Sequence, residues 1–160
     1  MIIYHGGTDI VKIPKILKPF AGRDFGNGFY TTDIRLQAVK WSLRQARIRR
    51  KNDAFLNSYE LDEAIFENAN IKEFEDYEMD WLNFVINCRQ NINYNHEYDL
   101  VIGKVANDDV GETIQAVIDG LTSKEFALSR LAFMQANSQL CFSTEIALNY
   151  LKFITAEKVN

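Results

Sequence analysis

The residues of this 160-residue chain whose types and order could do chemistry lie near its amino end. Tyr4-His5-Gly6-Gly7-Thr8 would end a short strand with an imidazole, which can donate or accept a hydrogen bond. Gly6 and Gly7 carry no Cβ, so a ligand can come close to the backbone there. Gly26-Asn27-Gly28 then turns the chain into Phe29-Tyr30, where side chains alternate between faces and only one ring can meet a pocket. Trp41 follows Tyr30 by eleven residues, about two turns along the next helix. Taken singly, each member also fits a core position: a satisfied histidine beside an ordinary turn, or a ring packed inward. In this order they point to a nucleotide pocket.

The elements that must position these residues follow from periodicity and turn signals. Residues 2–5 read as a strand, followed by a segment around 13–17, a polar loop over 19–27 and a short strand at 28–31. Asp33 is placed to cap a helix running to Arg50, with Leu36, Val39, Leu43 and Ala46 on one stripe and Ile34, Ala38 and Trp41 beside it. This helix is expected to be buried at its start. Alternation over 54–61 predicts a strand, and Met79, Leu82, Val85 and Ile86 mark a helix. Residues 98–105 read as a strand with an apolar centre. Asp109-x-x-Glu112 and Thr122-x-x-Glu125 read as capping boxes opening two helices. A strand at 139–143, a short helix at 144–151 and a strand at 153–159 complete the pattern. Strands and helices mix without regular crossover units, which predicts an α+β fold rather than a doubly wound one.

Length and composition bound the rest. One domain over 1–160 is expected, with 47% hydrophobic and 12% aromatic residues and no Pro/Gly/Ser linker. The chain opens without a basic region before an apolar run, and nowhere do about 18 apolar residues follow one another. A cytoplasmic protein, or an effector delivered by a specialised route, is expected, with no membrane partner. Cys88 and Cys141 have no metal-ligand spacing and read as buried thiols, so no metal is expected. The net charge of −4 hides a basic island of Lys40, Arg44, Arg47, Arg49, Arg50 and Lys51. It fits a phosphate or an acidic partner. It also fits a helix end complementing its macrodipole, paired with Glu73, Glu75, Asp76, Glu78 and Asp80. An otherwise acidic chain does not favour nucleic acid. Asp24-Phe25-Gly26 lacks the other kinase motifs, and no phosphate loop, zinc-protease or hydrolase signature occurs. His96, in a polar loop, is expected to be exposed.

The opening constellation resembles the ADP-ribosyltransferases of the diphtheria-toxin and poly-ADP-ribose-polymerase type. These share a His-Gly strand, a Gly-x-Tyr strand entering a helix, and a late strand carrying an acidic residue. The whole chain is also similar to uncharacterised bacterial domains of that kind, some at toxin–antitoxin loci, through the run from Asp24 to Tyr30, Tyr98-Asp99 and the strand at Gln139. The resemblance implies a split, mixed and antiparallel sheet flanked by helices, and NAD as substrate. It implies that His5 holds a ribose hydroxyl, the Gly6 backbone holds the nicotinamide carboxamide, and Tyr30 and Trp41 flank the pyridinium ring, which aromatic faces attract. Thr8, Arg23 and Asn27 would edge the pocket. Gln139 takes the place of the late-strand acid: it keeps the hydrogen bond and lacks the charge. Glu145, six residues on, is an alternative acid, or a first-turn residue answering the helix dipole. The expected activity is transfer of ADP-ribose to an unidentified macromolecular acceptor, or hydrolysis of NAD, with an antitoxin protein as a possible partner. A silent NAD- or ADP-ribose-binding module, or an interaction domain of the same fold, is the alternative.

Overall fold

The computed structural model describes residues 1–17, 23–132 and 137–159. Its elements run β1 (Ile2–Gly7), β2 (Phe29–Thr31), α1 (Arg35–Arg49), β3 (Ala54–Leu61), α2 (Ile65–Asn68), β4 (Ile71–Glu73) and α3 (Met79–Gln90). They continue with β5 (Leu100–Gly103), α4 (Asp108–Ile118), α5 (Lys124–Leu131), β6 (Gln139–Phe142), α6 (Glu145–Leu148) and β7 (Leu151–Val159). The strands form two sheets, ordered β1-β3-β7 and β2-β6-β5-β4. The described pairings are antiparallel except β4 with β5. With helices flanking one antiparallel and one mixed sheet, the chain is an α+β protein.

The two-residue period of the strands sorts side chains into layers. Ile3, Tyr59 and Leu61 of the first sheet meet Phe29, Leu100, Leu140 and Phe142 of the second in one buried cluster, so the sheets pack face to face. On the other side of the second sheet, Val101 and Cys141 lie under Trp81, Leu82, Val85, Val110, Ile114 and Leu131 from α3, α4 and α5. Fully burying one such aliphatic side chain stabilises the fold by about 1.5–3 kcal/mol. Cys88 and Cys141 are free and buried, as expected.

Helix α1 covers the outer face of β1 and β3, and it docks differently from the expected stripe. Its buried residues are Ala38, Ser42 and Ala46, whereas Leu36 and Ile48 are 60% and 61% exposed. Small side chains let the helix backbone approach the sheet, and a large one on that face would hold it off. The start of α1 is therefore not the buried end. Nor does Asp33 cap it: Ile34 is the cap position, and its N–H is taken by Thr32 Oγ1 at 3.0 Å. The caps of α4 and α5 also shift, to Asn107, which accepts from the Val110 N–H, and Ser123, which accepts from the Phe126 N–H. Helix α2 and strand β4, four and three residues long, are too short to carry a periodic signal. No described helix is long and apolar enough to cross a membrane.

Candidate functional site

Among the described residues, the two sheets touch edge to edge at one place. Tyr4 and Thr32 exchange backbone hydrogen bonds of 2.8 and 2.9 Å, and beyond that bridge β1 and β2 diverge. Because backbone groups alternate along a strand, the N–H and C=O of Gly6 project to the same edge as those of Tyr4. They have no partner among the described residues. The absent Cβ of Gly6 serves another purpose than the one expected. A Cβ there would lie 2.1 Å from the Ala38 carbonyl oxygen and 3.0 Å from the Ser42 nitrogen, so α1 fills the space. Gly6 offers backbone polar groups, not an open approach from its α-carbon.

His5 occupies the wedge where the sheets part. Its Nδ1 is 2.7 Å from the Tyr30 carbonyl oxygen, and its ring stacks on Phe29 with centroids 4.5 Å apart. A carbonyl only accepts, so Nδ1 carries the proton. Burial pushes the imidazole pKa below its ordinary value; the Tyr30 bond opposes that shift and nearby Arg49 adds to it. The neutral ring thus keeps Nε2 as an acceptor. Nε2 has no partner among the described residues, where every fully buried side-chain nitrogen and oxygen has one, so it keeps some contact with solvent. Gly7 helps keep it clear, since a Cβ there would stand 3.3 Å from Nε2.

Tyr30 pairs with Cys141 across β2 and β6, so both side chains, and that of Gln139 two residues along, share one face. The Tyr30 hydroxyl donates to the Gly26 carbonyl at 2.6 Å and accepts the Phe25 N–H at 3.1 Å. Gly26 makes that turn at φ +77°, a conformation that favours glycine. Burial, then the neighbouring Cys141 and Asp24, raise the phenol pKa far above its usual value, so Tyr30 presents a fixed, neutral ring.

Trp41 is 48% exposed on α1, with the Arg44 guanidinium 5.6 Å from its ring centroid. A core role for Trp41 is excluded; the fully buried tryptophan is Trp81. Gln37, one turn earlier, donates to the Ser138 carbonyl at 2.6 Å and accepts the Ser138 N–H at 3.3 Å. The row of α1 that carries Trp41 therefore runs from the start of β6.

Gln139 stands at that start, 7% exposed. Its amide nitrogen donates to Asp24 Oδ2 and to the Lys104 carbonyl, each at 3.2 Å. Asp24 Oδ1 accepts Arg89 Nε at 3.0 Å and Nη2 at 2.6 Å, while Oδ2 also accepts the Ala106 N–H at 2.9 Å. Gln139 makes no hydrogen bond to His5 or Tyr30.

The remaining expected residues are peripheral. Thr8 donates to Asp9 Oδ2 at 2.8 Å and receives Arg49 Nη1 at 3.5 Å. Arg23 donates to the Leu17 carbonyl at 3.5 Å, and the Asn27 carbonyl accepts from Cys141 Sγ at 3.9 Å. Glu145 is exposed in the first turn of α6, at the far end of β6 from Gln139. His96 is half-buried, contrary to expectation: Nε2 donates to the Phe25 carbonyl at 3.0 Å and the ring lies against Phe84. No ion pair among the described residues joins the basic island to the acidic stretch over 73–80. Sequence reasoning missed Asp24, Arg89, Gln37 and Asn57. Asn57 is fully buried and accepts the Val11 N–H at 2.8 Å while donating to the Asp9 carbonyl at 3.1 Å, which folds the loop after β1.

Chemically, the seam offers one acceptor, His5 Nε2, and the unpaired Gly6 peptide edge, with the half-exposed indole of Trp41 on α1 and the Tyr30 ring packed beside Cys141. Hydroxyl donors, a carboxamide and a flat ring complement such a set. The class so defined is an α+β protein whose two sheets meet at one bridge, with a neutral imidazole in the gap. Residues 1–153 match the family described as "Protein of unknown function (DUF3990)", and the chain belongs to that family. No curated protein and no solved structure is a significant match.

Proposed function

We propose that this protein is an NAD-dependent ADP-ribosyltransferase, or an NAD glycohydrolase where water is the acceptor. The observation that carries the reading is the His5 Nδ1–Tyr30 bond at the divergence of β1 and β2, which leaves Nε2 as an open acceptor beside the unpaired Gly6 backbone. Nε2 accepts a ribose hydroxyl, and the Gly6 N–H and C=O match the acceptor and donor of a carboxamide. Tyr30 and Trp41 flank the nicotinamide ring. NAD is the substrate: its nicotinamide–ribose bond breaks, and positive charge grows on the ribose as neutral nicotinamide leaves. The Gln139 carbonyl dipole faces that charge where a carboxylate would be stronger. By analogy with removing an oxyanion-hole donor, the difference costs about 2–4 kcal/mol of barrier, a slower reaction and not a lost one. The acceptor is a macromolecule or water, and the setting is the cytoplasm or a cell reached by delivery. A neutralising protein partner fits such an activity and the resemblance to domains at toxin–antitoxin loci.

NAD labelled in both halves tests the reading. Free nicotinamide with labelled ADP-ribose, on a macromolecule or in solution, is the expected result. A neutral amide at 139 favours a second reading, a binding module that retains intact NAD. Absence of any interaction would overturn both.

A further inference from the structure

The most constrained polar group near the seam is the Gln139 amide, and the constraint comes from a residue outside it. We infer that Asp24 is a positioning residue that locks Gln139 with its carbonyl oxygen outward, and that this pair is built for an amide and against an acid at position 139. The inference rests on the proposed activity for its catalytic consequence only.

Both partners of the Gln139 nitrogen, the Asp24 carboxylate and the Lys104 carbonyl, are acceptors without a proton. The NH2 group must therefore face them, and exchange of the amide's nitrogen and oxygen would bring oxygen against oxygen at two contacts of 3.2 Å. Oε1 is left without a partner among the described residues, yet no buried polar side-chain atom there lacks one, so Oε1 reaches solvent. Asp24 cannot turn away. Its side chain is 9% exposed, and its two oxygens accept two bonds from Arg89, one from the Ala106 N–H and one from Gln139. It thereby ties the loop before β2, α3, the segment after β5 and the start of β6 to one carboxylate.

A glutamate at 139 would set an oxygen where the amide nitrogen stands, facing two acceptors with no hydrogen to give. Held between those two acceptors, it would keep a proton that an exposed carboxylate releases. The absence of an acid at this position then follows from the neighbouring acid at 24.

Carbon-13 NMR titration of the carboxyl group that Gln139→Glu introduces tests this without any activity. The expected value is at least about one unit above the ordinary glutamate pKa of about 4.3, returning toward it in Asp24→Asn/Gln139→Glu. An ordinary or lowered value in the single variant would overturn the inference. Should Gln139→Glu not fold, side-chain hydrogen exchange in the unaltered protein decides: both Gln139 amide protons are expected to be protected, and fast exchange overturns the lock. In nicotinamide release, Gln139→Glu is expected to lower kcat by about 100-fold, as for a misplaced group, with KM little changed. The double variant recovers part of that loss. A faster Gln139→Glu enzyme would overturn the inference, whereas an unaltered protein that releases no nicotinamide sinks the activity and leaves the titration to judge the pair.

Discussion

His5 Nδ1 and the carbonyl oxygen of Tyr30 lie 2.7 Å apart, a side chain completing the pairing that the two backbones give up one step beyond the Tyr4–Thr32 bridge. The bond fixes the tautomer and so decides which nitrogen is left as an acceptor.

That tautomer carries a pH signature. Burial first, and Arg49 in addition, hold the folded imidazole below its ordinary value of 6.5, so the folded chain binds this proton less tightly than the unfolded chain. The contribution of neutral His5 to stability is then fully present above pH 6.5 and is lost as pH falls through the lower folded value. Urea unfolding from about pH 7 to about pH 5 should show the unaltered protein losing stability more steeply than His5→Asn. Parallel curves would refute the assignment.

The adjoining glycines should separate packing from access. A Cβ at Gly6 meets the Ala38 carbonyl at 2.1 Å, so Gly6→Ala should displace α1 and cost about 1–3 kcal/mol in urea unfolding. At Gly7 the neighbour is His5 Nε2 at 3.3 Å. Gly7→Ala should therefore unfold near the unaltered midpoint while weakening NAD binding in calorimetry.

Trp41 should matter to ligand and hardly to fold. Being 48% exposed, its replacement by Ala removes little packing, and unfolding should shift by no more than about 0.5 kcal/mol. If its indole faces a cationic ring, NAD affinity falls about tenfold. Quenching of tryptophan fluorescence by NAD should disappear in the same variant, leaving the emission of buried Trp81.

Arg89 is the counterpart of a carboxylate that has little contact with water, with side chains 16% and 9% exposed. Arg89→Met leaves Asp24 charged and unpaired, at a cost of about 3–5 kcal/mol. Chemical denaturation measures this directly; a loss under about 1 kcal/mol would mean that Asp24 is well solvated after all.

Both cysteines should resist thiol reagents in the folded chain at neutral pH. Burial raises Cys88 to about 12 and Cys141 to about 11, and the thiolate is the reactive form. Reaction of both thiols only after denaturation is the expected outcome.

Much of the fold was legible where an element was long and its period clear. Strand β3 appears at the predicted residues 54–61, and α3 and β6 begin where expected. The face of α1 departs from the expected stripe because apolar size marks a docking face only when side chains do the docking, and here Ala38 and Ser42 bring the backbone itself onto Gly6. In the candidate site, the order of His5 and Tyr30 was legible, whereas their contact, a side chain on a main-chain carbonyl, was not. The Asp24–Arg89 pair did not show, because its members are 65 residues apart and a buried ion pair has no period. Its one signal was the acid in the run from Asp24 to Tyr30.

The reciprocal bonds between Gln37 and Ser138 splice α1 to β6, and the His5–Tyr30 bond splices β1 to β2. The tryptophan-bearing helix and the glutamine-bearing strand are thus tied to one another. On the reading proposed above, a frame set in advance favours a molecule whose thickness matches it, because little rearrangement is then needed on binding.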